Sequence, residues 1–204
     1  MPRPVILPGA RDVRGRLDEA SANGGERDAA VVACPPHPQH GGSRSDPRLR
    51  AVADALGERG IDCLRFDYGP WDDGVGERAD AREAVAWTAE RYDAVGLFGY
   101  SFGASIAVLA AADLDLQALS ALAPTARLAP ELDAVAALDR IDCPAQVIVG
   151  DRDDTVDWEP VAERAAELGH DVERLPADHF FVGRHDRVGE LAAAFLASSL
   201  RENA

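Results

Sequence analysis

Short apolar runs alternate with segments of helical period along almost the whole chain, and this rhythm restricts the fold more than any other feature. AAVVACPP (residues 29–36), IDCLRFDYG (61–69), AVGLFGY (94–100), LQALSALAP (116–124) and AQVIVG (145–150) read as buried strands, with DVERLP (171–176) as a short last one. Residues 47–59 carry Leu49, Val52, Ala53 and Leu56 at helical spacing, with Asp46 as N-cap, Pro47 at the first helical position and Gly60 at the end. Further helices are predicted over 79–92, 101–113, 130–141, 159–169 and 187–200. The polar alternation of ARDVRGRLDEA (10–20) suggests an edge strand, and NGGERD (23–28) a turn. Strands that alternate with helices imply an α/β fold, a doubly wound and mostly parallel sheet with helices on both faces. Reactive groups in such sheets gather at the carboxyl ends of the strands. No repeat or shift in composition divides residues 1–204, so one domain is expected.

One junction in this pattern carries chemistry. In GLFGYSFGAS (96–105) an apolar strand runs into a small-residue helix through Gly99-Tyr-Ser-Phe-Gly103, the form of a nucleophile elbow. The turn strains the serine backbone and presents the hydroxyl of Ser101 at a helix N-terminus, where the two glycines avoid collisions. The alternative is an ordinary strand-to-helix turn in which the serine is an N-cap. A base, an acid and oxyanion donors in suitable places separate the two. His179 lies in LPADHFFVGR, between the last strand and the last helix, with Phe180 and Phe181 able to pack below it; His170 reads as a solvated helix end and His185 as an exposed residue opening the last helix. The acid should follow AQVIVG, where DRDDTVD offers Asp151, Asp153, Asp154 and Asp157. Asp153 is preferred, three residues beyond Gly150, to orient the imidazole and stabilise the imidazolium. Phe102 supplies one oxyanion N–H from the first helical turn. The second is expected from His37, which unlike Pro36 and Pro38 has an N–H to donate, with Gln39 as the alternative; Gly41 and Gly42 let this loop fold close. His37 and His40 lack neighbouring ligands for a metal, so no metal is expected.

The order Ser101, Asp153, His179, with GYSFG, PHPQHGG after an early strand, GDRDDTV and DHFF, resembles the α/β-hydrolase superfamily over nearly the whole chain. Within it the chain is similar to small, lid-free members related to dienelactone hydrolases and short esterases. The resemblance implies the α/β-hydrolase fold without a cap domain, since only about 30 residues separate the strand after the elbow helix from Asp153. It also implies a serine hydrolase of small carboxylic esters or thioesters that forms an acyl-enzyme on Ser101 and needs no cofactor. Three departures stand out: Pro35 replaces a histidine common in related loops, Ser101 replaces the cysteine of dienelactone hydrolases proper, and PWDDGVGE follows IDCLRFDYG in place of an Arg-Gly turn. Tyr68 and Trp71 could therefore contact substrate or serve as ordinary packing. An acyltransferase or cofactor-free peroxidase would use the same three residues, and a catalytically silent binding protein could share the fold.

Charge narrows the partners. The chain has 36 acidic residues against 21 basic ones, all arginine, for a net charge of −15. Such a surface repels nucleic acid and anionic membranes, leaving a small-molecule ester as the expected partner of a monomer or homodimer. Acidity on this scale with no lysine also suggests a protein adapted to concentrated salt, where the screening length falls to about 3 Å. The N-terminus lacks the uninterrupted apolar stretch of a signal peptide, and no run approaches the roughly 18 apolar residues of a membrane span, so a cytoplasmic location is expected. Cys34, Cys63 and Cys143 lie in or beside apolar segments without CxxC spacing and read as buried thiols.

Overall fold

A computed structural model describes residues 3–9, 11–20 and 28–202 of the chain. In chain order the elements begin with β1 (Arg3–Ile6), β2 (Arg14–Asp18), β3 (Ala29–Cys34), α1 (Pro47–Glu58), β4 (Asp62–Asp67), α2 (Val75–Ala89), β5 (Ala94–Tyr100) and α3 (Phe102–Ala111). They continue with β6 (Ala118–Leu122), β7 (Arg127–Ala129), β8 (Leu132–Asp133), α4 (Ala134–Leu138), β9 (Ala145–Gly150), α5 (Glu159–Glu167), β10 (Asp171–Leu175) and α6 (His185–Glu202).

Eight strands form one sheet in the order β1-β2-β4-β3-β5-β6-β9-β10. From β4 to β10 all neighbours are parallel, while β2 pairs antiparallel with β1 and with β4. Side chains alternate between two apolar layers: Val32, Leu97 and Val149 pack with α2, α3, α4 and α5, and Val31, Phe98 and Ile148 with α1 and α6. This period of two, with both faces covered, is why the strands read as continuous apolar runs. The seven residues of β5 are all buried. Only the β7–β8 hairpin and the five-residue α4 are interposed between β6 and β9, so no cap domain covers the strand ends there. The fold is that of the α/β hydrolases.

Several expectations need correction. The strand expected over residues 10–20 is shorter, Arg14–Asp18, and lies second in the sheet; the edge is β1, which Pro4 can occupy because an edge strand need not donate every N–H. The turn expected at 23–28 falls outside the described residues except for Asp28. The helix predicted over 130–141 is confined to α4, capped by the Asp133 carboxylate on the N–H of Ala136, because the preceding residues pair as a hairpin. Helix α2 begins at Val75, four residues before the predicted start at 79, since Gly74 (φ 91°) turns the chain into it. Asp46 caps α1 as expected, accepting from Arg48 N–H. Cys34 and Cys63 are buried, with their thiols pushed up by that burial, whereas Cys143 is only half-buried. Among the described residues no helix is long and apolar enough to cross a membrane.

Candidate active site

Strand order reverses between β3 and β5, and the crevice outside their carboxyl ends is where such sheets bind ligands. Ser101 leaves β5 there with φ 57° and ψ −124°, a strained backbone for a residue that carries a β-carbon. Its N–H is held by the carbonyl of Leu122 at 2.8 Å. A β-carbon on Gly99 would lie 2.2 Å from the carbonyl oxygen of Gly103, and one on Gly103 2.2 Å from that of Pro35. The turn therefore closes only with glycine at both positions, and it seats the start of α3 directly on the exit of β3. Although Ser101 occupies the N-cap position, its side chain makes no capping bond.

The hydroxyl turns to histidine instead. Ser101 Oγ lies 2.9 Å from His179 Nε2, and His179 Nδ1 lies 2.7 Å from Asp153 Oδ2. His179 and Asp153 are 5% and 8% exposed, so this polar chain is largely withdrawn from water. Asp151, Asp154 and Asp157 are exposed, leaving Asp153 as the carboxylate on the imidazole. Its second oxygen, Oδ1, accepts from the N–H groups of Thr155 at 3.0 Å and Val156 at 3.4 Å. With Oδ2 on the imidazole, both carboxylate oxygens are engaged and the side chain has one orientation.

Three supporting residues carried no sequence signal. The Trp158 indole N–H donates to the Asp153 carbonyl at 3.0 Å. The Tyr100 hydroxyl donates to the His179 carbonyl at 3.1 Å, and burial pushes that phenol up so that it keeps its proton. The Arg48 guanidinium sits 4.3 Å from the centre of the Tyr100 ring and donates to the Phe180 carbonyl at 3.2 Å. Tyr100 does adjoin the serine in sequence, but nothing in its spacing announces a bond to residue 179. The two phenylalanines after His179 behave differently from expectation: Phe181 is fully buried below the loop, while Phe180 is 53% exposed. His170 is half-buried, not a solvated cap, and its pKa is lowered by that burial. His185 is half-buried, its Nε2 lying 3.3 Å from the Phe180 carbonyl.

On the other side of Ser101 the loop after β3 forms a 3-10 turn, Pro38–His40, with Gly41 left-handed at its end. The His37 ring packs 4.8 Å from Phe102, 4.6 Å from Trp71 and 4.3 Å from His40. These contacts set the side chains of Phe102 and His37, the two residues expected to give the oxyanion donors, side by side. No acceptor among the described residues takes the N–H of either one; for Phe102 that follows from its place at the start of a helix. Gln39 is exposed. Burial, then the neighbouring His40, lowers the pKa of His37, whose ring therefore stays neutral near pH 7. Tyr68 donates to the Pro35 carbonyl at 3.2 Å and meets Phe102 edge-on, so it braces the β3 exit. Trp71 lies over His37 and Phe102. Among the described residues no group of three or more His, Cys, Asp or Glu side chains is placed to hold a metal.

The chain resembles known proteins in both sequence and fold. Residues 70–200 match the sequence model of the dienelactone hydrolase family, a span that contains Ser101, Asp153 and His179 and begins after the His37 loop. An α/β serine hydrolase homologue from Coxiella burnetii is 28% identical, with 99% of this chain and 97% of that one aligned at a TM-score of 0.79. A lidless α/β serine hydrolase from Xanthomonas campestris is 27% identical over 98% of this chain and 94% of that one, at a TM-score of 0.77. A dienelactone hydrolase from Anabaena variabilis, 24% identical over 98% and 99% of the two chains, shares the fold at a TM-score of 0.76. No curated protein sequence matches. Since the matched span is well over half of its 204 residues, the chain belongs to the dienelactone hydrolase family and is a hydrolase.

Proposed function

We propose that the protein is a serine hydrolase that cleaves small carboxylic esters or thioesters through an acyl-enzyme on Ser101. The reading rests above all on the unbroken hydrogen-bonded path from Ser101 Oγ through His179 to Asp153, 2.9 and 2.7 Å long, at the tip of a strained strand-to-helix turn. His179 Nε2 takes the serine proton as Oγ attacks the acyl carbon, and Asp153 holds the ring in the tautomer that can accept it. Charge that develops on the carbonyl oxygen is met by the N–H groups of Phe102 and His37, helped by the dipole of α3. The imidazolium then protonates the leaving group, and water, activated by the same imidazole, releases the acid. Tyr68 and Trp71 lie beside the oxyanion donors and border the acyl side. The lack of a cap suits small substrates.

Replacing Ser101 with alanine should lower the hydrolysis of p-nitrophenyl acetate by about a thousandfold or more, with circular dichroism unchanged. Mass spectrometry after treatment with a fluorophosphonate should find the label on Ser101. A variant that keeps the wild-type rate would remove Ser101 from this role, and a wild-type protein that takes up no label would favour a binding function on the same fold.

A further inference from the structure

Five large apolar side chains are exposed among the described residues: Ile6, Val75, Leu168, Phe180 and Val182. Two of the five flank one turn directly after His179, Phe180 at 53% exposure and Val182 at 76%. Phe180 is the one aromatic ring of the set, and on so acidic a chain it invites a reason.

The loop is built to keep that ring outside. Phe181 is fully buried and has φ 51°, a left-handed conformation costly for an aromatic residue, which sends its own side chain into the core while its neighbours face out. The Phe180 backbone is held at both ends: its N–H donates to Asp178 Oδ1 at 3.0 Å, and its carbonyl accepts from Arg48 Nη1 at 3.2 Å. The ring itself stands edge-on to His179, 5.5 Å between centroids and 83° between planes. A rigid backbone thus holds a half-exposed phenyl ring against the imidazole.

We propose that Phe180 is the wall of a leaving-group subsite, and that the protein prefers esters whose alcohol portion is bulky and apolar, aromatic above all. The proposal rests on the acyl-enzyme reading. In that reaction the bond from Ser101 Oγ to the acyl carbon forms, the bond from that carbon to the alcohol oxygen breaks, and the proton taken from Oγ by Nε2 passes to the departing oxygen, so a neutral alcohol leaves. The departing oxygen must come within about 2.6–3.2 Å of Nε2. Carbons attached to it therefore lie beside the imidazole, where the exposed aromatic surface is Phe180. A phenyl group laid against that ring takes apolar surface on both partners out of water. The acyl portion meets a different surface, Trp71, His37 and Phe102 on the oxyanion side.

Benzyl acetate and methyl acetate test this with a common acyl group and alcohols of similar acidity, so the ratio of their kcat/KM values reads recognition and not leaving-group chemistry. The wild-type enzyme should favour the benzyl ester. Phe180→Ala should lower that ratio about tenfold, the effect of losing about 1.4 kcal/mol, while Phe180→Leu, which keeps an apolar wall, should retain most of it. An unchanged ratio in Phe180→Ala, or a wild-type preference for the methyl ester, would overturn the subsite. Hydrolysis of neither ester by an enzyme that still takes a fluorophosphonate on Ser101 would overturn the subsite and leave the acyl-enzyme intact. Failure of that label would bring down the acyl-enzyme and the subsite together.

Discussion

Gly103 has no space for a β-carbon: the carbonyl oxygens of Pro35 and Cys34 would lie 2.2 and 2.4 Å away. Both obstacles are backbone, so neither can swing aside as a flexible side chain would. The consequence reaches Ser101, because separating α3 from the β3 exit also separates the Phe102 and His37 segments that meet beside it. Gly103→Ala should therefore lose roughly 1–3 kcal/mol of stability in urea denaturation, the usual penalty of overpacking, and lose hydrolytic activity beyond what the unfolded fraction explains. Gly60 is a useful contrast, since a β-carbon there meets nothing within 4 Å and the constraint is its φ of 79° alone. Two glycines that look alike in sequence are thus required for different reasons.

The segment joining β4 to α2 is held by two buried carboxylates one helical turn apart. Glu77, fully buried, accepts from the N–H groups of Asp72 at 3.0 Å and Gly74 at 2.8 Å. Asp80 accepts from Gly69 N–H at 2.9 Å and from Arg11 Nε at 2.7 Å, and a second nitrogen of Arg11 donates to the Pro70 carbonyl. Trp71 rides on this segment and covers His37 and Phe102. Glu77→Ala would strand the buried Gly74 N–H, at a cost of about 1–3 kcal/mol, and release the N–H of the exposed Asp72. The variant should unfold at lower urea and show a weakened near-ultraviolet circular dichroism signal as Trp71 loses its fixed surroundings; an unaltered midpoint would mean that water replaces the carboxylate at no cost.

At the scale of the molecule, charge dominates. A net charge of −15 works against the compact state by self-repulsion, and added salt screens it. Salt also weakens surface ion pairs such as Arg59–Glu190 at 2.7 Å, but exposed pairs contribute little. The net effect should be a melting temperature that rises between about 0.1 M and about 1 M KCl, as the screening length falls from about 10 Å to about 3 Å; a melting temperature that falls over that range would count against adaptation to concentrated salt. The layered sheet was legible because burial on both faces writes itself into apolar runs, and Ser101 because its turn demands glycines on either side. The region from 127 to 138 was not, since a hairpin of three and two residues is too short to impose a period and its apolar residues suit a helix equally well. Among the four aspartates of DRDDTVD, spacing from Gly150 singled out Asp153, but the burial that sets it apart from its neighbours in water comes from the packing of that loop. Local periodicity and glycine placement are properties of neighbouring residues, so the sequence alone determined the alternation of the parallel strands with their flanking helices and the position of the elbow. Contacts across 26 and 78 residues, from His179 to Asp153 and to Ser101, together with the outward turn of Phe180, were decided by the tertiary structure, because only the folded sheet brings its strand ends to one edge.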